Sequence, residues 1–88
     1  MEMKKKNNIY NNYMGTQSVI FNKKNFTLGQ AKSWIKRNNF KQSFRNYNNK
    51  KPEETLHYWR FRQEAPNKYK SYYMKKVREG VFYVIGRK

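Results

Sequence analysis

Lysine and arginine are the side chains of this sequence with the clearest chemistry, and that chemistry is the binding of anions. They number 21 among 88 residues, against five acidic residues, and the formal net charge is +16. So many positive charges repel one another in a compact chain, and the binding of a polyanion relieves this repulsion. Nucleic acid is the commonest such partner, because Lys and Arg neutralise its phosphates. The composition therefore predicts a nucleic-acid-binding module.

Nine residues are predicted to form the binding surface. Eight are basic, and one is a tyrosine that stands beside two arginines in the chain. We expect the cations to gather on one side of a small fold and to contact phosphates with little sequence specificity. The nine are Lys23, Lys24, Lys32, Lys36, Arg37, Lys41, Tyr58, Arg60 and Arg62.

Tyr58 has two interpretations. Bases stack on aromatic rings and guanidinium planes, which adds roughly 1–3 kcal/mol per base, so Tyr58 with Arg60 and Arg62 is a candidate platform for single strands. Ordinary cross-strand packing of a tyrosine against arginine stems explains the same residues and is the favoured interpretation.

Catalysis has little support in the sequence. There is no Cys and no Asp, so disulfides, thiol nucleophiles and Cys zinc sites are excluded. His57 is the one histidine, and its place among aromatic residues indicates a structural role on the core face. Adjacent Glu53 and Glu54 have the chemistry to hold Mg²⁺, but such a pair more often begins or solvates a strand. We therefore predict no enzyme, no catalytic residue, no metal and no cofactor.

The first half of the chain contains the clearest local signals. Ser18–Phe21 is β-branched and apolar, which predicts a short buried strand. Thr27 and Gln30 match a capping box, and the apolar residues that follow recur at helical spacing, which predicts a helix over about 28–38. The pair Asn38-Asn39 is expected to end it.

The second half predicts strands. Alternation over Thr55–Gln63 buries Trp59 and Phe61 and displays Tyr58, Arg60 and Arg62 on the other face. Residues 69–77 fit a strand or a helix, and the tyrosines favour the strand, while 81–85 is a clear last strand. The sum is an α+β domain in which one helix packs on a small antiparallel sheet, in the order β-α-β-(β)-β.

The ends and the middle of the chain are predicted to be less ordered. Residues 1–16 form a flexible Asn/Lys-rich arm, and 17–88 form the single domain. Residues 41–54 form a long loop, with a short edge strand considered near 43–47. No run approaches the ~18 apolar residues of a membrane span, and the basic residues Lys4–Lys6 are not followed by the apolar stretch of a secretory signal.

Short segments spread along the chain form one pattern: Gln17–Phe21, Phe26–Thr27, Ala31–Lys36, Phe40–Lys41, Tyr58–Gln63, and Gly80 with Val84–Gly86. Together these segments resemble a small, poorly characterised domain that recurs in proteins of tailed phages and large DNA viruses. The resemblance covers about 17–86 but not the Asn-rich arm or the loop at 41–52. It implies a viral origin and an α+β fold, and it implies no catalytic residues.

The resemblance leaves three functions open. The first is a virus-encoded nucleic-acid-binding protein that takes part in genome packaging. The second is a virion structural or assembly protein of the minor-capsid type that docks on acidic protein partners, since some relatives lie beside head-assembly segments. The third and weakest is an inhibitor of a host nucleic-acid enzyme. All three place the protein in the virion or the host cell interior, in the cytoplasm or a viral factory.

Overall fold

The computed structural model describes residues 14–42 and 52–88, which form one helix and a five-stranded sheet. The strands lie in the order β2-β3-β1-β5-β4, and all neighbours are antiparallel. This confirms the predicted α+β class, and residues 71–78 are a strand. The elements are β1 (Met14–Asn22), α1 (Leu28–Arg37), β2 (Glu53–Glu54), β3 (Tyr58–Arg62), β4 (Ser71–Arg78) and β5 (Val81–Arg87).

Local capping determines both ends of α1. The Thr27 Oγ1 accepts from the Gln30 amide at 3.2 Å, and the Gln30 Oε1 accepts from the Thr27 amide at 2.8 Å, so the capping box is formed. At the other end Asn39 takes a left-handed φ of 63°. The Phe40 amide then donates to the Ile35 carbonyl at 3.0 Å, as in a Schellman motif. This reversal returns Phe40 to the core, where it stacks on Trp34.

The core lies between α1 and one face of the sheet. The Phe21 ring is at its centre and makes edge contacts with Phe26, Trp34 and Phe61, with centroids 5.2 to 5.7 Å apart. Burial of each side chain of this size contributes about 1.5–3 kcal/mol. Trp59 is half-buried and packs against the cluster. The buried members are Val19, Phe21, Ala31, Trp34, Ile35, Phe61 and Val81.

Tyr69 closes one end of the sheet on the face away from α1. Gly15 and Gly86 pair across β1 and β5, and a Cβ would collide with the Tyr69 ring at Gly86 and with the Tyr69 hydroxyl at Gly15. The two glycines therefore make room for the ring, which is 6% exposed. Its hydroxyl donates to Glu64 Oε1 at 2.7 Å. Burial and this carboxylate raise the pKa of Tyr69 well above its usual range.

Three expectations about local structure need correction. His57 is exposed, and its interpretation as a core residue is wrong, because β3 begins at Tyr58 and the alternation does not reach back to it. Residues 14–16 belong to β1 and not to the arm. Glu53 and Glu54 form the short strand β2. The remaining arm, 1–13, and the strand considered near 43–47 lie outside the described residues.

Candidate nucleic-acid interface

Each carboxylate in the described ranges is already engaged by a cation. Lys23 Nζ lies 2.5 Å from Glu54, and Lys68 Nζ lies 2.8 Å from Glu64. Arg62 pairs with Glu53, and Lys76 Nζ lies 3.1 Å from Glu79. The cations left without a described carboxylate partner are Lys24, Lys32, Lys36, Arg37, Lys70, Lys75, Arg78, Arg87 and Lys88.

Arg60 and Arg62 project from β3 onto the face of the sheet opposite α1, because Phe61 between them faces the core. A bulge in β1 presents Gln17 and Ser18 to Arg60, and both are buried. Arg60 Nε donates to Ser18 Oγ and its Nη2 donates to Gln17 Oε1, each at 2.9 Å. Arg62 donates to Glu53 of β2. Both half-buried arginines thus join neighbouring strands.

Two of the predicted lysines also have structural contacts. Lys23 lies over the Trp59 ring, 5.3 Å from its centroid, in addition to its ion pair with Glu54. The backbone of Lys41 is held by the Gln63 side chain, which accepts from the Lys41 amide at 2.8 Å and donates to its carbonyl at 2.9 Å. Gln63, which sequence reasoning did not single out for this role, therefore fixes the segment that leaves α1.

The remaining predicted cations lie on the side of the sheet that α1 covers. Lys36 and Arg37 are exposed in the last turn of α1, where positive charge is favourable to the helix dipole. Lys32 is half-exposed on the same helix, and Lys24 is exposed in the turn before it. Within the described chain these four form the helix-side surface: Lys24, Lys32, Lys36 and Arg37.

The expectation that the cations gather on one side is therefore wrong. Alternation along β3 sends Arg60 and Arg62 away from the core, whereas α1 packs on the core face. Tyr58, 42% exposed, goes with the arginines and contacts His57 edge-on. The candidate stacking residue thus lies on the opposite face from the helix-side surface.

A groove between α1 and the end of β4 adds a cation that the sequence prediction missed. Its volume is about 660 Å³, and the residues that line it include Arg37, Arg78, Phe26 and Trp34. Lys75 lies nearby on the same face of β4, because it pairs with Tyr83, which contacts Trp34. The strand alternation in 69–77 was the signal that would have found Lys75. We call this depression the α1–β4 groove.

The described residues contain neither a cluster of metal ligands nor a helix that could span a membrane. Over 14–42 and 52–88, no three side chains of the types His, Cys, Asp and Glu come together as metal ligands. In the same ranges, none of the helical structure has the length and apolar character required to cross a bilayer.

Comparisons with protein-family models, with curated proteins and with solved structures found no match. The resemblance to a viral domain therefore stays a prediction.

Proposed function

We propose that this domain binds nucleic acid through its phosphates, with little discrimination among bases. The observation that supports this is the separation of its charges. The described carboxylates pair with other cations, whereas the cations of the helix-side surface and of the α1–β4 groove have no described carboxylate partner. A cation with no internal partner contributes self-repulsion to a small fold, and a polyanion removes that cost. Packaging of a viral genome is the role that the resemblance suggests.

Phosphates rather than bases are the expected contacts. Lys24, Lys32 and Lys36 are ammonium groups on long stems that bind phosphate as point charges, and this carries no sequence information. The aromatic residues on this side are poor platforms for bases, because Trp34 is 6% exposed and Phe26 lies under the Arg78 guanidinium.

The test is the binding of a duplex and a single-stranded oligonucleotide of equal length, measured by fluorescence anisotropy over a range of salt concentrations. The logarithm of the affinity should fall linearly with the logarithm of salt, with a slope of about −0.9 per phosphate neutralised on duplex and about −0.7 on single strands. Lys32→Glu with Lys36→Glu should weaken both complexes.

Lys70→Glu with Lys88→Glu is the matched control, because it makes the same charge change at exposed residues away from α1. Its affinity should stay closer to that of the unmodified protein. The proposal would be contradicted if oligonucleotide binding were weak at low salt and if Lys32→Glu with Lys36→Glu, the α1 charge reversal, left the affinity unchanged.

A second function, docking on an acidic protein partner in virion assembly, is favoured by β4. This strand has eight residues, all exposed, and within the described sheet no strand pairs with its outer side. Lys75 and Lys76 lie on it, so an acidic extended segment that adds as a further strand is the partner that fits. A poly-glutamate peptide should then protect the β4 amides from hydrogen exchange, whereas binding of nucleic acid should protect α1.

A further inference from the structure

We infer that the α1–β4 groove is a phosphate-binding site, in which Arg37 and Arg78 hold a phosphate ester of the nucleic-acid backbone. The inference rests on the proposed function and names the place where one backbone phosphate is held. Residues on the helix-side surface then contact neighbouring phosphates.

The residues that line the groove favour the binding of an anion. Arg37 and Arg78 bring two guanidinium groups, and Ser33 and Asn25 add a hydroxyl and an amide. Gln30 uses its Oε1 in the capping box, which leaves its Nε2 as a donor. None of the described residues that line the groove carries a carboxylate. A guanidinium presents paired N–H groups that match two phosphate oxygens, and such charge-assisted bonds are the strong ones.

A β-bulge brings Arg78 to the groove. Lys76 pairs with Phe82 on the face of the sheet away from α1, and regular alternation would place Arg78 on that face as well. The register shifts between Lys76 and Arg78, so that Arg78 pairs with Val81, a core residue on the α1 side. Bulges are a common means of redirecting a side chain near a functional site.

The groove is also preorganised and open. The Arg78 guanidinium lies 5.6 Å from the centre of the Phe26 ring, a cation–π contact that holds it in place while leaving its N–H edges for a ligand. The volume of about 660 Å³ is within the range of roughly 300–1,000 Å³ typical of ligand sites. At Gly29 a Cβ would meet no atom within 4 Å, so a ligand can approach the α1 backbone there.

Gly29 provides a variant that tests the site without harming the fold. Gly29→Glu and Gly29→Gln both replace a poor helix former in the first turn of α1, where a carboxylate is favourable to the helix dipole. Both fit the open space, but only glutamate puts a negative charge at the groove. We expect Gly29→Glu to lower oligonucleotide affinity at least about tenfold relative to Gly29→Gln, the equivalent of one strong charge-assisted hydrogen bond.

Nitrogen–proton correlation spectra give the second readout. Inorganic phosphate, a nucleoside monophosphate and an oligonucleotide should each shift the Gly29 amide and the Nε–H signals of Arg37 and Arg78, and the unphosphorylated nucleoside should not. Shifts from phosphate and the monophosphate in a protein that binds no oligonucleotide would support the groove as a phosphate site and remove the proposed function.

A different pair of results would overturn the groove inference and leave the proposed function in place. If Gly29→Glu binds oligonucleotide as tightly as Gly29→Gln while the α1 charge reversal weakens it, the groove inference is overturned and the proposed function stands. Equal shifts from the nucleoside and the monophosphate would overturn the inference as well.

Discussion

The β2–β3 edge and the α1–β4 edge of this domain both carry cations, but they differ in what surrounds those cations. At the β2–β3 edge, Glu53 and Glu54 run antiparallel to β3, and their carboxylates pair with Arg62 and Lys23. At the α1–β4 edge, Arg37 and Arg78 line the groove, and no carboxylate stands among its described lining residues. The nearest acid along β4, Glu79, pairs instead with Lys76.

This difference shows that net charge alone does not identify the binding residues of a basic domain. An arginine joins neighbouring strands where hydrogen-bond acceptors lie beside it. Where no such acceptor lies beside it, its guanidinium remains available to a ligand. Arg60 and Arg37 are the clearest pair: the first donates to two buried side chains, and the second is exposed on α1.

The largest expected effect comes from Arg60→Met. The change removes two charge-assisted hydrogen bonds to buried oxygens, and the side-chain oxygens of Gln17 and Ser18 keep only the bond from Ser18 Oγ to Gln17 Oε1. A hydrogen bond to a charged group contributes about 1.5–3 kcal/mol. We expect the free energy of unfolding in urea to fall by about 2 kcal/mol. Arg37→Met is the control and should change it by less than about 0.5 kcal/mol. Similar decreases in both variants would break the distinction between the two edges.

The next effect is on binding and should appear at the other edge. Arg37→Gln with Arg78→Gln removes two guanidinium groups from the groove and should weaken oligonucleotide binding about tenfold, which corresponds to about 1.4 kcal/mol. Stability should fall by no more than about 1 kcal/mol, because neither residue has a described ion pair and the contact of Arg78 with the Phe26 ring is an exposed cation–π interaction. A double variant that binds normally but unfolds easily would show that these arginines are structural.

A fourth carboxylate, Glu64, accepts from the Tyr69 hydroxyl, and the effect of this contact on stability can be tested by pH. Because burial and Glu64 raise the Tyr69 pKa, the folded state keeps this proton above about pH 10, where an unfolded tyrosine loses it. Stability from Tyr69 is therefore complete below about pH 10 and declines as the pH rises further. The free energy of unfolding should fall by about 1 kcal/mol between about pH 9 and pH 11.

Tyr69→Phe supplies the control for this pH effect. Phenylalanine keeps the ring over Gly15 and Gly86 but has no proton to lose, so the decline should be smaller. Burial also raises the pKa of Tyr83, which contributes equally in both proteins. Equal declines would show that Tyr69 is not the group responsible.

The smallest effect is expected from Glu54→Gln. Glu54 is exposed, and its ion pair with Lys23 should contribute only a few tenths of a kcal/mol to stability. The change frees the charge of Lys23, so oligonucleotide affinity at low salt should rise slightly, by less than about threefold. Glu79→Gln, at the end of β4, should release Lys76 in the same way. The same affinity measurement on this variant therefore reports the effect of a released cation near the α1–β4 edge. A decrease in affinity in either variant would contradict this account.

The fold was predictable from the sequence where its signals are local. The capping box needs residues three apart, and the helix predicted over about 28–38 is observed as Leu28–Arg37. Alternation in β3 correctly buried Phe61 and placed Arg60 on the opposite face, but it did not show that Arg60 is half-buried there. His57 was assigned wrongly, because alternation does not say where a strand begins.

The site was harder to predict because it depends on pairing across the fold. The contacts of Arg60 with Gln17 and Ser18 need the register of β1 on β3 and a bulge that no local pattern marks. The position of Arg78 depends on a second bulge, between Lys76 and Arg78. Sequence reasoning identified which residues have the chemistry, but not which of them the fold engages and which it leaves exposed.

The decisive measurement is the salt dependence of duplex binding, compared between the unmodified protein and Arg37→Gln with Arg78→Gln. We expect a linear log–log plot for both, with a slope that is shallower in the variant by about 0.9 for each phosphate that the protein no longer neutralises. The Lys70→Glu with Lys88→Glu protein should keep a slope close to the original. Equal slopes for the unmodified protein and the groove variant, or binding that salt does not weaken, would contradict the account.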